Sequence, residues 1–519
     1  MSAAAALWSW QHNALLNYGD AVAHLQIARR VIDGHNPGFR QLGSVWLPLP
    51  HLLLMPFVAV YAWWANGIAG LIPSALAYIA GCVGIYRLAR HWLSPAAATV
   101  ALLFYGINPN LLYLQTTAMT EPLFLCELIW AIVWLVEWHA SLADRPGGSP
   151  RRLWQIAFVL VASVYTRYDG WILAFLAWVA IGILLLRRRQ LGSVHFWLAS
   201  LVVAAAPIAW FTYNAVIFGD WLEFARGPYS AKAIEIRTTH PGSGPPHPGW
   251  HNPWVSLLFF GRAAEIDAAA ELWGDRLLAL SALGIAWGCF TARKRGYLWT
   301  LLLWLPAPFY SYSVAYGSVP IFIPKWWPHS WYNTRYGMEL LPAFALAMAF
   351  VAALVLGAVR EFKPARSSHL ARYVAAGLYL LVIWNAWKVT AEKPLTFIEG
   401  IKNIEARRPL EQQIPPVLRS LLDTRPGAQV LMKTSVYPNL VAFTGIPLRQ
   451  TINEGDGPLY SAALAAPAQQ AAIVVAFDGD DIAAAVAAHP AGLTAIGRYA
   501  APGQPTATVY ISSSGALTR

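Results

Sequence analysis

Charge is scarce in this chain. Asp, Glu, Lys and Arg make up 12% of its 519 residues, 57% are hydrophobic, and the mean hydropathy is +0.44. A water-soluble protein of this length has no way to hide so much apolar surface, whereas helices that face lipid need not hide it. Cysteine is nearly missing: Cys82, Cys126 and Cys289 all lie inside apolar stretches. That argues against a structural disulfide or a thiolate metal cluster. The Ala-rich start has no charged n-region, so no cleavable signal peptide is expected. Internal repeats, heptad arrays and low-complexity tracts are lacking too. The formal charge is +11 and the pI about 9.5, but the basic residues bunch in short loops between apolar stretches. This reads as membrane orientation, with membrane lipids rather than nucleic acid as the partner.

What is present is a series of apolar stretches, at 68–87, 95–113, 123–141, 153–166, 171–187, 194–213, 277–292, 297–315, 337–356 and 371–390. They predict a mainly α, polytopic membrane helical bundle of about 10–11 spans. Arg87/Arg90, Arg151/Arg152, Arg187-Arg188-Arg189, Arg293-Lys294-Arg295 and the run from Arg360 to Arg372 fall on one side, which the positive-inside rule makes cytoplasmic. The other side carries 17–46, the turn at 114–122, residues 167–170, the loops 214–256 and 316–335, and everything after 392. The segment 48–65 is almost long enough to cross, yet its prolines suit a tilted, interfacial or partial helix. Fewer than twenty residues precede Asp20, too few for an ordinary leading span. After about 395 the pattern changes: strand candidates at 429–432, 472–477 and 507–511 and a helical piece at 480–488 predict a small soluble α/β domain. The expected division is a membrane module, 1–392, with an outer loop at 17–46, and an extracytoplasmic domain, 393–519. The Trp (26) and Tyr (22) counts suit interfacial belts and sugar-binding surfaces alike.

Carboxylates and arginines at span ends need a reason to be there. Asp20 precedes AVAHLQIARRVIDG, which has apolar Ala21, Leu25, Ile27, Ala28, Val31 and Ile32, with Arg29 and Arg30 on another face. Asp20 is either the N-cap of an amphipathic surface helix or a general base or metal ligand at a cavity mouth. Glu121, followed by Pro122, either marks a first helical turn or supplies a second carboxylate on the same side. Arg167-Tyr168 and Arg335-Tyr336 lie at outer span ends. Asp169 can neutralise Arg167, and Glu339, one turn on, can satisfy Arg335; a substrate phosphate fits their guanidiniums equally well. His24 and His51 are neighbours of no assigned role. The chemistry that suits this set is transfer from a lipid-borne phosphate, with a carboxylate taking the acceptor's hydroxyl proton and arginines holding the departing phosphate. A divalent ion (Mg, Mn or Ca) bridging Asp20 or Glu121 to phosphate is compatible, though no His/Asp spacing commits to one.

The segments GDAVAHLQIARRVIDG (19–34), NPNLLYLQTTAMTEPL (108–123), YTRYDGW (165–171), YNAVIFGDWLEFARG (213–227) and NTRYGMELLPA (333–343) resemble the GT-C superfamily of membrane glycosyltransferases, in particular the protein mannosyltransferase and aminoarabinose transferase group. The resemblance runs over most of residues 15–390. It implies a GT-C-type bundle and an inverting hexosyl- or pentosyltransferase that uses a dolichyl- or polyprenyl-phosphate sugar donor. The acceptor hydroxyl would belong to a lipid, glycan or protein, on the luminal or periplasmic side; the Ala-rich composition and compact loops make a bacterial inner membrane the expected home. Carried over, it makes Asp20 the catalytic acidic residue, Glu121 the second acidic position, and Arg335 and Arg167, with Tyr336 and Tyr168, the donor-phosphate ligands. The chain departs from the pattern in having no basic residue beside Trp46-Leu47-Pro48-Leu49-Pro50 and in its leading span, where either the start is truncated or the N-terminal segment is only a partial helix. The alternative, a transporter or flippase for a polyprenyl-linked lipid or glycan, predicts charges at mid-bilayer and two corresponding halves with broken helices. The charges gather at one rim instead.

Overall fold

Proline placement sets many of the helix starts. Pro95, Pro109, Pro122, Pro150, Pro253 and Pro306 each sit in a first turn, where the missing N–H costs nothing, and Ser94, Asn108 and Asn252 add a side-chain cap. The computed structural model describes residues 1–238, 245–293, 296–362, 367–435 and 437–513. Parts of two expected basic loops (Lys294, Arg295 and residues 363–366), residues 239–244 of the expected outer loop, Val436 and the last six residues lie outside the described residues.

The chain divides into two compact units. The first comprises Met1–Ser9, Ser44–Pro50 and Pro73–Glu399; the second comprises Trp10–Gly43, His51–Ile72 and Gly400–Arg519. Most of the outer loop expected at 17–46 therefore belongs to the same unit as the C-terminal tail.

The membrane character resides in the helices. Among the described residues six are long and apolar enough to cross a bilayer: Ile68–Arg90, Glu121–Ser141, Tyr168–Arg187, Val194–Phe218, Thr334–Val359 and one in the stretch His369–Asp423. Burial separates them: 67% of the Thr334–Val359 window is buried and only 22% of the Val194–Phe218 window, so the former is central and the latter faces outward. The chain is an integral membrane protein. All ten expected apolar stretches are mainly helical, but three are not one continuous α-helix; one of them, 337–356, starts in the 3-10 turn Thr334–Leu340 and continues as the helix Leu341–Phe362. The stretch 95–113 splits into Pro95–Gly106 and Pro109–Leu114, because Asn108 caps the second helix by accepting from Leu111 N at 3.1 Å. The stretch 297–315 changes from a 3-10 turn, Tyr297–Trp304, to the helix Pro306–Tyr316. Small residues allow close helix approach in this unit. A Cβ on Gly284 would collide with the Ala347 carbonyl oxygen, so the helices Gly274–Ala292 and Leu341–Phe362 meet backbone to backbone.

The segment 48–65, which belongs to the second unit from His51 on, is not a single helix. Pro48–Val58 ends, the chain bends, and Tyr61–Asn66 follows before a left-handed Gly67. The stop has a donor: Arg29 Nη1 takes the carbonyls of Val58 and Ala59 at 2.6 and 3.0 Å. The tail folds as expected around a five-stranded sheet, β1 (Val430–Met432), β2 (Thr451–Ile452), β3 (Ile473–Phe477), β4 (Leu493–Tyr499) and β5 (Ala507–Ser512), in the order β2-β1-β3-β5-β4. β1 runs parallel to β2 and β3, while β5 pairs antiparallel with β3 and β4. β2 and β4 are additional to the sequence reading. β2 is only two residues long, and β4 (LTAIGRY) is a mostly exposed edge strand with a register shift between Ala495 and Gly497, so neither carries a strong apolar alternation. Leu410, Ile414 and Leu418, four residues apart on Leu395–Asp423, are fully buried; each such side chain contributes about 1.5–3 kcal/mol.

Candidate active site

In the first unit, three polar residues far apart in sequence meet. Glu121 opens the helix Glu121–Ser141, Arg167 is the extended residue between Pro150–Thr166 and Tyr168–Arg187, and Arg335 lies in the 3-10 turn Thr334–Leu340. The Glu121 carboxylate is fully buried, and its Oε1 accepts from Arg335 Nε at 3.1 Å and from Arg167 Nη1 at 3.4 Å. Its Oε2 has no hydrogen-bond partner. A buried, half-satisfied carboxylate is costly, and such groups concentrate where a protein binds or reacts.

Arg167 is the hub. It pairs with Asp169 at 3.3 Å and Glu339 at 2.9 Å, and donates to Thr120 Oγ1 at 3.0 Å and Tyr310 Oη at 2.5 Å. Tyr310 in turn donates to Glu339 Oε1 at 2.7 Å. The Asp169–Arg167 pair matches the sequence reading. Glu339 does not: it serves Arg167, not Arg335. Tyr336 is placed between the two cations, its ring 5.1 Å from Arg167 Cζ and 5.0 Å from Arg335 Cζ. Tyr168 is elsewhere: its ring stacks on Phe224, and its hydroxyl donates to the Val45 carbonyl at 2.7 Å.

Arg335 finds its second carboxylate in Glu399, 64 residues on, at 2.8 Å. Glu399 also accepts from the backbone N–H groups of Asn333 and Thr334, both at 2.9 Å, and from the Thr334 hydroxyl. Glu399 carries no signal in the sequence, because it lies beyond the last apolar stretch, in an unremarkable TFIEG segment. Four carboxylates (Glu121, Asp169, Glu339, Glu399) thus surround two guanidiniums. Nearby, Asp267 is fully buried and neither of its carboxylate oxygens is hydrogen-bonded.

Asp20 belongs to the second unit and is half-buried. It is not an N-cap. The helix is Gly19–Arg30, its N-cap is Tyr18 and Asp20 lies in the first turn. The capping acceptor comes from outside the segment: Asn403 Oδ1 takes the Gly19 N–H at 2.8 Å. Arg407 holds the preceding chain by donating to the carbonyls of Leu16 and Asn17 at 3.3 and 3.0 Å. The face expected to expose Arg29 is also different, since Arg29 is buried and pairs with Asp33 at 2.7 Å. His24 and His51 are buried against each other, Nδ1 to Nε2, at 2.8 Å. Among the described residues, no group of three or more His, Cys, Asp or Glu could hold a metal ion.

No family model matches the sequence, and neither does any curated protein. Solved structures do. ArnT from Cupriavidus metallidurans bound to undecaprenyl phosphate superposes with a TM-score of 0.56 at 15% identity, over 100% of this chain and 98% of that one. The fold is of the GT-C type. The Archaeoglobus fulgidus oligosaccharyltransferase AglB, in complex with an inhibitory peptide and a dolichol-phosphate, gives 0.45 at 11% identity over 96% and 71%. An Archaeoglobus fulgidus oligosaccharyltransferase in the apo form gives 0.45 at 10% identity over 92% and 69%. At such identities the agreement is one of backbone architecture. The roles of individual side chains in this chain rest on the contacts above.

Proposed function

We propose that this chain is an inverting glycosyltransferase that moves a hexosyl or pentosyl group from a polyprenyl-phosphate donor to the hydroxyl of an extracytoplasmic lipid, glycan or protein acceptor. Its setting is a bacterial inner membrane, with the site and the C-terminal domain on the periplasmic side. The observation that carries the reading is the buried convergence of Glu121, Arg167 and Arg335, with one Glu121 oxygen shared between both arginines and the other unpartnered. The fold shared with an undecaprenyl-phosphate complex supports it.

In this reading Asp20 takes the proton of the acceptor hydroxyl as its oxygen attacks the anomeric carbon. The bond from that carbon to the phosphate oxygen breaks with inversion, the electron pair leaves with the phosphate, and free polyprenyl phosphate is the second product. The departing group is already anionic, so it needs cations rather than an acid. Arg167 and Arg335 supply them. Both are tied to carboxylates, so the donor phosphate takes over some of those contacts, and Glu121 balances the charge as it moves. A divalent cation fits Glu121 Oε2 as one ligand, which is too few to define a site, and no step here requires it. Chelation followed by addition of Mg, Mn or Ca measures that requirement directly.

The deciding experiment is Asp20→Asn in full-length protein, followed by sugar transfer and by titration with undecaprenyl phosphate. Transfer should be abolished while binding is kept; normal transfer by the variant removes Asp20 from the mechanism.

A further inference from the structure

The bonding of Glu399 sets it apart from every other carboxylate around the arginines. Its Oε1 accepts from Asn333 N and Arg335 Nη1, and its Oε2 from Thr334 N and Thr334 Oγ1. A carboxylate offers about four acceptor sites, so this one is saturated by three consecutive residues of the Asn333-Thr334-Arg335 segment. It has nothing left for a substrate. Glu121, by contrast, bonds through Oε1 only and has Oε2 unpartnered.

Glu399 is itself held. It lies in the second turn of Leu395–Asp423, whose start is pinned where Asn110 Oδ1 accepts from the Thr396 N–H and hydroxyl, both at 2.9 Å. Asn108 and Asn110 donate together to the Asp267 carbonyl at 2.8 and 3.0 Å, tying that point to the helix Pro253–Ala268. The same helix packs against the Arg335 turn: a Cβ on Gly337 would come within 2.5 Å of Ala264 N. A line of short, directional contacts therefore runs from the Asn-Pro-Asn segment through Thr396 and Glu399 to Arg335.

The geometry points to Glu399 as a positioning residue: it fixes the Asn333-Thr334-Arg335 turn so that the Arg335 guanidinium faces Glu121 and the donor phosphate in one orientation. Long side chains lose affinity when they must be ordered at the moment of binding, and a saturated carboxylate orders this one beforehand. The inference rests on the reading of Arg335 as a phosphate ligand.

Full-length protein in nanodiscs, titrated with undecaprenyl phosphate, tests it. Glu399→Gln is expected to weaken binding on the order of tenfold, the loss of a charge-assisted bond, and Glu399→Asp should recover part of that loss. Arg335→Ala should weaken binding as well, and adding Glu399→Gln to it should cause no further loss, because the two act as one. Should Glu399→Gln not fold, as judged by its thermal midpoint, Thr334→Val removes one donor and keeps the charge, with an expected loss of about threefold. Unchanged or tighter binding in Glu399→Gln, or losses that add in the double variant, overturns the positioning role. If Arg335→Ala leaves binding unaltered, the phosphate reading itself fails, and this inference with it. Weakening by Arg335→Ala without weakening by Glu399→Gln or Thr334→Val removes the positioning role alone.

Discussion

Two buried ion clusters in this protein are built from the same residue types and behave as opposites. In the second unit, Asp33 accepts from Arg29 Nε and Nη2, from Leu448 N and from Arg449 Nη1, while Arg29 spends its remaining reach on the Val58 and Ala59 carbonyls. Here two cations serve a single carboxylate, and both Asp33 oxygens are bonded. In the first unit, four carboxylates face two arginines, and Glu121 and Glu339 each retain an oxygen without a partner. A cluster meant only to hold helices together tends toward the first arrangement, since an unsatisfied buried polar atom costs about 1–3 kcal/mol. Carrying an excess of them is a stability loss that function can justify.

That contrast breaks most clearly at Arg167. Arg167→Ala leaves Asp169 and Glu339 buried without their cation, and a loss of about 3–5 kcal/mol is expected in chemical denaturation, together with loss of transfer. If stability hardly changes, the network is not held by that hub. Arg29→Ala should cost about 2–3 kcal/mol, because two carbonyls and one side of Asp33 lose a charged donor. Undecaprenyl phosphate binding should survive it, which separates a structural cluster from a functional one.

Glu121→Gln sharpens the comparison further. It removes a charge from the over-acidic cluster, so stability should move by no more than about 1 kcal/mol, while transfer falls by roughly 10²-fold or more. A large destabilisation with activity retained would place Glu121 among the structural residues. The smallest effect belongs to Asn403→Ala, which removes the cap of the Asp20 helix and should cost about 1 kcal/mol. Transfer should decline more than stability does, since the cap sits one residue from the proposed base; equal declines would assign Asn403 to the fold alone.

Much of the membrane unit was legible in advance because lipid imposes a one-dimensional rule: a crossing helix must be long and apolar, and proline and capping residues mark its ends. The breaks at Asn108 and before Pro306 followed local rules too, but apolar content alone hid them. In the tail, β1, β3 and β5 announced themselves through buried apolar runs, whereas β2 and β4 lacked that signal. The candidate site was legible by scarcity. Glu121, Arg167 and Arg335 are charged groups at the ends of hydrocarbon-compatible helices, and the structure brings all three together.

Composition and periodicity by themselves determined that this is a membrane protein of many helices with an α/β tail, and which few polar residues merit attention. Partner choice was decided only in three dimensions. Glu339 is one helical turn from Arg335 and yet binds Arg167, while Glu399 reaches Arg335 from 64 residues away. The reason is physical: an ion pair forms between the side chains that packing brings within about 4 Å after water is removed, and which helix ends meet depends on how apolar surfaces and close-packed glycines fit, information spread over the whole bundle.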